Sequence, residues 1–189
     1  MAGVDVGRVE GILMHYLHLY HAGNFADVFK HVLLIALLEA LSMKDTPWCF
    51  IDTHAGAGIY GLDEASTPEA AEWRQGIGRL WRAGPRSALL GRYLATLREV
   101  AGAGEAPRGY PGSPWWGVRM ARPHDRVIAC EQQAEIAKLL RRTVPRAEVQ
   151  RRDGYGLLGA LPPRERRGLV LVDPPFERAD EFDAARAFI

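Results

Sequence analysis

Cysteine is nearly absent from this sequence: Cys49 and Cys130 are the only two. Each lies inside an apolar run, so both are expected to be core thiols in a reducing compartment rather than a bridge or a metal site. Lysine is almost as rare, present only at Lys30, Lys44 and Lys138. No long hydrophobic run occurs. Val32 to Leu38 falls far short of the ~18 apolar residues that a membrane-spanning helix needs. The first residues lack a basic segment followed by an apolar one and a cleavage site. The expectation is therefore a cytoplasmic protein with no membrane partner. An excess of one charge is missing too, with a formal net charge of +1, so a polyanionic partner would have to be met by a local patch. His15, His18 and His21 stand close together, yet no cysteine or nearby acid joins them, so no metal is expected. These side chains and the aromatics around them are expected to lie over a ligand or an RNA.

What is present is an ordinary globular mixture, 48% hydrophobic and 25% charged over 189 residues, about one domain in size. The most informative stretch is Gly168-Leu-Val-Leu-Val-Asp-Pro-Pro-Phe176. Its aliphatic run predicts a strand buried on both faces. Two prolines then force the chain out of the sheet. Asp173, the Pro174 carbonyl and the Phe176 ring are thereby displayed at the strand's carboxyl end, where open α/β sheets bind ligands. That set suits a planar base with an exocyclic amine: two acceptors for its N–H groups and a platform for its face. An ordinary Pro-Pro turn is the other reading of the tetrapeptide taken alone.

Upstream, Asn24 with Asp27 three residues on predicts a helix start near Phe25. Val28, Val32, Ile35 and Leu38 form its apolar stripe, widened by Leu33, Leu34 and Leu37, and the helix should end near Met43. Trp48 to Ile51 predicts the first buried strand. It delivers Asp52-Thr-His-Ala-Gly-Ala-Gly58, where Gly56 and Gly58 would let the backbone approach a ligand closely. A second strand, Arg126 to Cys130, ends at Glu131, an acid suited to ribose hydroxyls. Some seventy residues separate the glycine loop from this acid, far more than the ~20 of an uninterrupted dinucleotide unit. The gap is read as a small helical insertion packed by its tryptophans, with Trp73, Ile77, Leu80 and Trp81 on one stripe and Leu90 to Val100 on another. Ser113 is expected to cap a helix with Pro114 at its first position, its hydroxyl free to face a ligand. A strand from Glu148 to Arg152 leads to Asp153-Gly154, placed to hold a base edge. A short helix through Leu158 follows. Strands and helices alternating in this way predict a parallel α/β sheet.

Eight arginines between Arg141 and Arg167 face only three acids. Such a patch either tracks phosphates or forms a solvated face. Arg164, Arg166 and Arg167 are its candidate RNA contacts.

Together these features look like a class I S-adenosylmethionine-dependent methyltransferase. At closer range, His21-Ala-Gly-Asn-Phe-Ala-Asp-Val-Phe-Lys-His31, the glycine loop, Tyr110-Pro-Gly-Ser-Pro114 and Leu171-Val-Asp-Pro-Pro-Phe176 resemble the RlmJ-type 23S rRNA (adenine(2030)-N(6))-methyltransferase family. The resemblance implies a Rossmann-like domain with an inserted helical subdomain. Mapped here, residues 1–23 form a tail over the site, 24–60 and 105–189 the main domain, and 61–104 the insertion. It also implies S-adenosylmethionine at His31, His54, Ser113, Glu131, Asp153 and Gly154, with Gly56, Gly58 and Asp173 beside it. The implied catalytic residue is Asp173, supported by Pro174 and Phe176; Tyr16 is the implied substrate contact, and 23S rRNA the partner. Phe176 stands where the family more often has tyrosine, which keeps stacking and loses a phenol hydrogen bond. The family continues well past this motif, so the expectation is a chain lacking its last strands, with Leu169–Val172 as an association-prone sheet edge. The alternatives are another amino-methyltransferase, acting on DNA adenine or rRNA guanine N2, or a non-catalytic fragment that binds the cofactor or RNA.

Overall fold

A computed structural model describes residues 21–62, 72–176 and 180–188. Tyr16, the rest of the tail through Tyr20 and residues 63–71 of the expected insertion lie outside them.

Helix α1 (Phe25–Ser42) starts where the sequence places it, with Asn24 Oδ1 accepting from the Asp27 N–H. Leu34, Ile35 and Leu38 are buried on its inner face. Leu33 and Leu37, expected to widen that face, are instead exposed and form one line with Phe25 and Phe29. They recur every four residues and so run up the outer side of the rod.

Strand β1 (Cys49–Asp52) is wholly buried and carries the sheet. It pairs in parallel with β4 (Arg126–Cys130) on one side and β6 (Gly168–Leu171) on the other, so that Phe50 lies between Val127 and Leu169. Strand β5 (Glu148–Gln150) extends the sheet beyond β4, giving the order β5-β4-β1-β6, all parallel. All four carboxyl ends therefore face one way. The sequence predicts β6 as buried on both faces; it is instead half-exposed, because among the described residues it borders only β1.

A short antiparallel ribbon, β2 (Ile59–Gly61) with β3 (Gly109–Pro111), carries the insertion on a stalk. The insertion itself supplies α2 (Ile77–Ala83) and α3 (Ala88–Ala101). Ile77, Trp81, Tyr93, Leu94 and Leu97 join Leu38, Trp48, Phe50 and Trp116 in a single buried cluster. The helices are thus one wall of the main core, not a body packed only by its own tryptophans. Helix α4 (Ser113–Met120) has Gly112 as its cap, one residue before the expected Ser113. This shift places Ser113 in the first turn, buried and facing inward.

Helix α5 (Ala134–Thr143) follows β4 and packs against β5, a 3-10 segment spans Gly154–Ala160, and α6 (Glu181–Phe188) closes the described chain. Cys49 and Cys130 are both free and buried. Among the described residues no helix is long and apolar enough to cross a membrane, and no three His, Cys, Asp or Glu side chains are grouped to hold a metal ion.

Candidate active site

Two adjoining clefts open at the carboxyl ends of the four parallel strands, sharing His54, Tyr60 and Pro175 as a common wall. The larger, about 620 Å³, is lined among others by Lys30, His31, Ser113, Asp173 and Pro174. The smaller, about 170 Å³, is lined by Gly56, Glu131, Arg152, Asp153, Gly154 and Tyr155. Four elements distant in sequence thus bring together most of the residues singled out above.

The glycine loop needs its glycines for two different reasons. Gly56 (φ +62°) faces the smaller cleft, and a Cβ there would meet the Tyr60 hydroxyl at 2.1 Å. Gly58 (φ +80°) lines neither cleft; a Cβ there would strike Thr143 and Val144 at 2.6 Å, where the loop packs on α5. Both positive φ angles suit glycine alone. The Tyr60 hydroxyl accepts from the Ala57 N–H, which fixes the turn. Gly154 is held tighter still, since a Cβ would lie 2.0 Å from the Thr53 carbonyl oxygen. Glu131 accepts from the Gln133 N–H at 2.7 Å. Burial pushes its carboxyl up, opposed by the backbone N–H groups of Gln133, Gly56 and Gln132. The acid thereby ties the second strand end to the glycine loop. Asp153 Oδ1 accepts from the Tyr155 N–H, and the Tyr155 ring meets His54 edge-on at 4.9 Å between centroids.

On the side of the larger cleft, Lys30 joins α1 to β6. Its ammonium lies 2.6 Å from Asp173 Oδ2 and 2.7 Å from Asp27 Oδ1. Burial alone would lower its pKa, but the two carboxylates outweigh that and hold it above the ordinary lysine value. His31, one residue on, is 1% exposed. Its Nδ1 lies 2.9 Å from the Tyr110 hydroxyl, while Nε2 has no hydrogen-bond partner. Burial, helped by the Lys30 charge, pushes its pKa down to about 3, so the ring is neutral. Asp52, fully buried at the end of β1, accepts from the His54 N–H at 3.2 Å, and its Oδ2 is unpartnered. Burial pushes its carboxyl up to about 6 against the opposing pull of Ser113, Lys30 and the His54 N–H. Thr53 clamps β1 to β6, its N–H and hydroxyl both donating to the Leu171 carbonyl.

Four expected contributors, Phe176 and the three arginines, stand apart from the clefts. Phe176 lines neither cleft; its exposed ring packs on Phe182 at 4.7 Å between centroids. Its φ of +54° marks the abrupt exit from the Pro-Pro corner. Arg164, Arg166 and Arg167 precede β6, at the end of the sheet opposite the clefts. Arg167 already donates to the Leu41 and Thr46 carbonyls, and Arg164 pairs with Glu165. Tyr16 lies outside the described residues. Conversely, Lys30, Asp52 and Tyr110 enter the site without having been singled out. The rarity of lysine is a faint signal for the first; Asp52 sits in plain view at the head of the glycine loop.

The family model described as "Ribosomal RNA large subunit methyltransferase D, RlmJ" matches residues 45–189. The chain is 36% identical over 175 residues to a Haemophilus influenzae protein named ribosomal RNA large subunit methyltransferase J, covering 90% of this chain and 62% of that one. It is 38% identical over 176 residues to the Escherichia coli K12 protein of the same name, covering 91% and 62%. The chain thus spans about three fifths of the length of these curated relatives. It is also similar to the crystal structure of protein LPL1258 from Legionella pneumophila, with a TM-score of 0.80, 34% identity, and 89% of this chain and 63% of that one covered. With residues 45–189, most of the chain, matched by the family model and the same blocks gathered around the two clefts, the chain belongs to the RlmJ family of ribosomal RNA large subunit methyltransferases.

Proposed function

We propose that this chain binds S-adenosylmethionine and presents an adenine of 23S rRNA for methylation at N6. The observation that carries the reading is the pair of clefts with a shared wall: one edged by the glycine loop, Glu131, Asp153 and Gly154, the other by the Asp173-Pro174-Pro175 corner. The residues present fit the cofactor. Glu131 offers a carboxylate to ribose hydroxyls, and Gly56 and Gly154 leave no side chain between the backbone and a ligand. Asp153 and Gly154 offer a carboxylate and an N–H to a base edge. His31 and Ser113 supply polar atoms to the neighbouring cleft, with His31 Nε2 in want of a partner.

S-adenosylmethionine, when bound, supplies an electrophilic methyl on a positive sulfur, so the protein needs no covalent intermediate. The work left to the side chains is positioning. Asp173 and the Pro174 carbonyl accept the two N6–H groups of the base, which turns the nitrogen lone pair out of conjugation with the ring. The Lys30 ammonium pins the Asp173 carboxylate in place, and that carboxylate or water receives the N6 proton. Holding the reacting atoms in line contributes most of the acceleration. Phe176, turned from Phe182, covers the face of a flipped base, worth roughly 1–3 kcal/mol for an aromatic platform. The names of the two curated relatives support ribosomal RNA as the substrate class.

The test is a titration with S-adenosylmethionine together with methyl transfer to naked 23S rRNA, to assembled large subunits and to DNA, with the modified base identified by mass spectrometry. N6-methyladenine in the RNA, lost in Asp173→Ala with cofactor affinity largely kept, is the expected result. Methylation of guanine or of DNA, or near-normal turnover by the alanine variant, would refute it.

A further inference from the structure

Behind His31 a buried hydrogen-bond chain runs out of the sheet and into the insertion. His31 Nδ1 lies 2.9 Å from Tyr110 Oη, and Tyr110 Oη lies 3.1 Å from Tyr93 Oη. Tyr110 sits on the stalk strand β3 and Tyr93 on helix α3. Both tyrosines are fully buried, and His31 is nearly so. Trp116 completes the enclosure, stacked on Tyr93 at 5.2 Å and tilted against His31 at 6.4 Å.

The direction of this chain follows from counting hydrogens. Each hydroxyl carries one, and the neutral imidazole carries one on either nitrogen. If Nδ1–H donated to Tyr110, then Tyr110 would have to donate to Tyr93. The Tyr93 hydrogen would then need an acceptor, and among the described residues its hydroxyl has no partner other than Tyr110. A buried donor left without an acceptor is strongly disfavoured. If both neighbours donated to Tyr110, its own hydrogen would be stranded in the same way. Each arrangement thus leaves one hydrogen without an acceptor inside the protein, and only Tyr93 to Tyr110 with Tyr110 to Nδ1 keeps it off the two hydroxyls in the core. The hydrogen in want of an acceptor then sits on Nε2, which has no partner in the protein and belongs to a residue that lines the larger cleft, where a ligand can supply one.

We propose that Tyr93 and Tyr110 are positioning residues that lock His31 in its Nε2–H tautomer, a fixed donor into the cleft for a carboxylate oxygen of the bound ligand. On the same cleft wall the Ser113 hydroxyl offers a second donor to an anionic oxygen, while the Lys30 ammonium is held by Asp27 and Asp173. Resting on the cofactor reading above, this assigns that donor to the amino-acid end of S-adenosylmethionine. It also gives helix α3 of the insertion a part in ligand recognition through a residue that touches no ligand.

Long-range proton–nitrogen NMR on the protein carrying isotope-labelled histidine reads the tautomer with no ligand and no folding-sensitive variant; His31→Gln assigns the signal. The expected result is a single protonated nitrogen, Nε2, unchanged between about pH 6 and pH 8, where a free histidine titrates. An Nδ1-protonated ring, or titration within that range, overturns the proposal. Tyr110→Phe should lose the single-tautomer signature and weaken S-adenosylhomocysteine binding about two- to tenfold, the range for one hydrogen bond. It should leave methylthioadenosine, which lacks the amino-acid group, unaffected. Equal losses for both ligands would make the hydroxyl merely structural and overturn the proposal. Tyr93→Phe keeps the Tyr110 hydrogen on Nδ1 and should keep the tautomer; a switch to Nδ1–H there would mean the chain runs the other way. If the unmodified protein binds neither ligand, the cofactor reading fails, while the NMR result still decides the tautomer.

Discussion

Replacing Asp52 by asparagine should stabilise the protein at neutral pH and do little in acid. Asp52 is fully buried with one carboxylate oxygen unpartnered, and burial raises its carboxyl from the ordinary 3.8 to about 6. At 1.36 kcal/mol per pH unit, that difference corresponds to about 3 kcal/mol. The sign follows from proton counting. Below about pH 3.8 the group is protonated whether the chain is folded or not, and contributes nothing. Between about 3.8 and 6 the unfolded chain ionises first, so it holds fewer protons and stability falls as pH rises. Above about 6 the full penalty of burying the charge is present. Asparagine keeps an acceptor for the His54 N–H and carries no charge at any pH. Its amide hydrogens can turn to the Ser113 hydroxyl but are not fully satisfied by it, so the net gain at neutral pH should be roughly 1–3 kcal/mol. His31 works in the opposite sense: depressed to about 3, it withdraws stability as pH falls below about 6.5. That contribution is common to both proteins and cancels in their difference. Urea unfolding of the two proteins in parallel from about pH 4 to 7.5 measures the difference directly. A constant gap across that range would show that Asp52 is not buried as a charge, and would refute the reasoning.

Lys30→Met removes the cation that holds Asp173 and should lower the methyl-transfer rate at least tenfold, with a smaller change in S-adenosylmethionine affinity; equal losses in both would place Lys30 in the cofactor cleft instead. Glu131→Ala should weaken cofactor binding by roughly ten- to a hundredfold, the worth of a charge-assisted hydrogen bond, and calorimetry showing unchanged affinity would reduce Glu131 to a strand-end acid. Gly154→Ala forces a methyl to within 2.0 Å of the Thr53 carbonyl oxygen; the backbone must part there, and thermal unfolding should register a loss of roughly 1–3 kcal/mol, typical of overpacking. An unshifted melting curve would mean that the two loops slide freely past each other.

Where a local rule decides the outcome, the sequence was a good guide. Asn24 and Asp27 mark the start of α1, and the aliphatic runs ending at Asp52, Glu131 and Asp173 become adjacent parallel strands. What it concealed depends on partners far along the chain. The ribbon β2–β3 has only three residues per strand, too few for a periodicity to show. Ser113 looks like a cap by composition, yet Gly112, extended in backbone and tied by its N–H to the Gly58 carbonyl, takes that place. Lys30 reaches an acid 143 residues away. Its helical periodicity places it on the rim of the buried face, and nothing local says which carboxylate it meets. The arginine-rich stretch is a related case. Charge density along the chain does not reveal that Arg167 turns inward to the carbonyls closing α1 and the turn after it.

Lys30 and His31 are consecutive residues on α1, a continuous rod of 18 residues. One grips Asp173 at the Pro-Pro corner; the other is bonded to the tyrosine on the stalk. A rigid helix cannot adjust the two grips independently, so a small roll or slide that improves one alters the other. If methyl donor and base each bias the position of this rod, their affinities are coupled, and the coupling is reciprocal: whatever factor the donor confers on the base, the base returns to the donor. Departure of either ligand then alters the hold on the other through the same helix, so that exchange of the spent donor and release of the product become linked events.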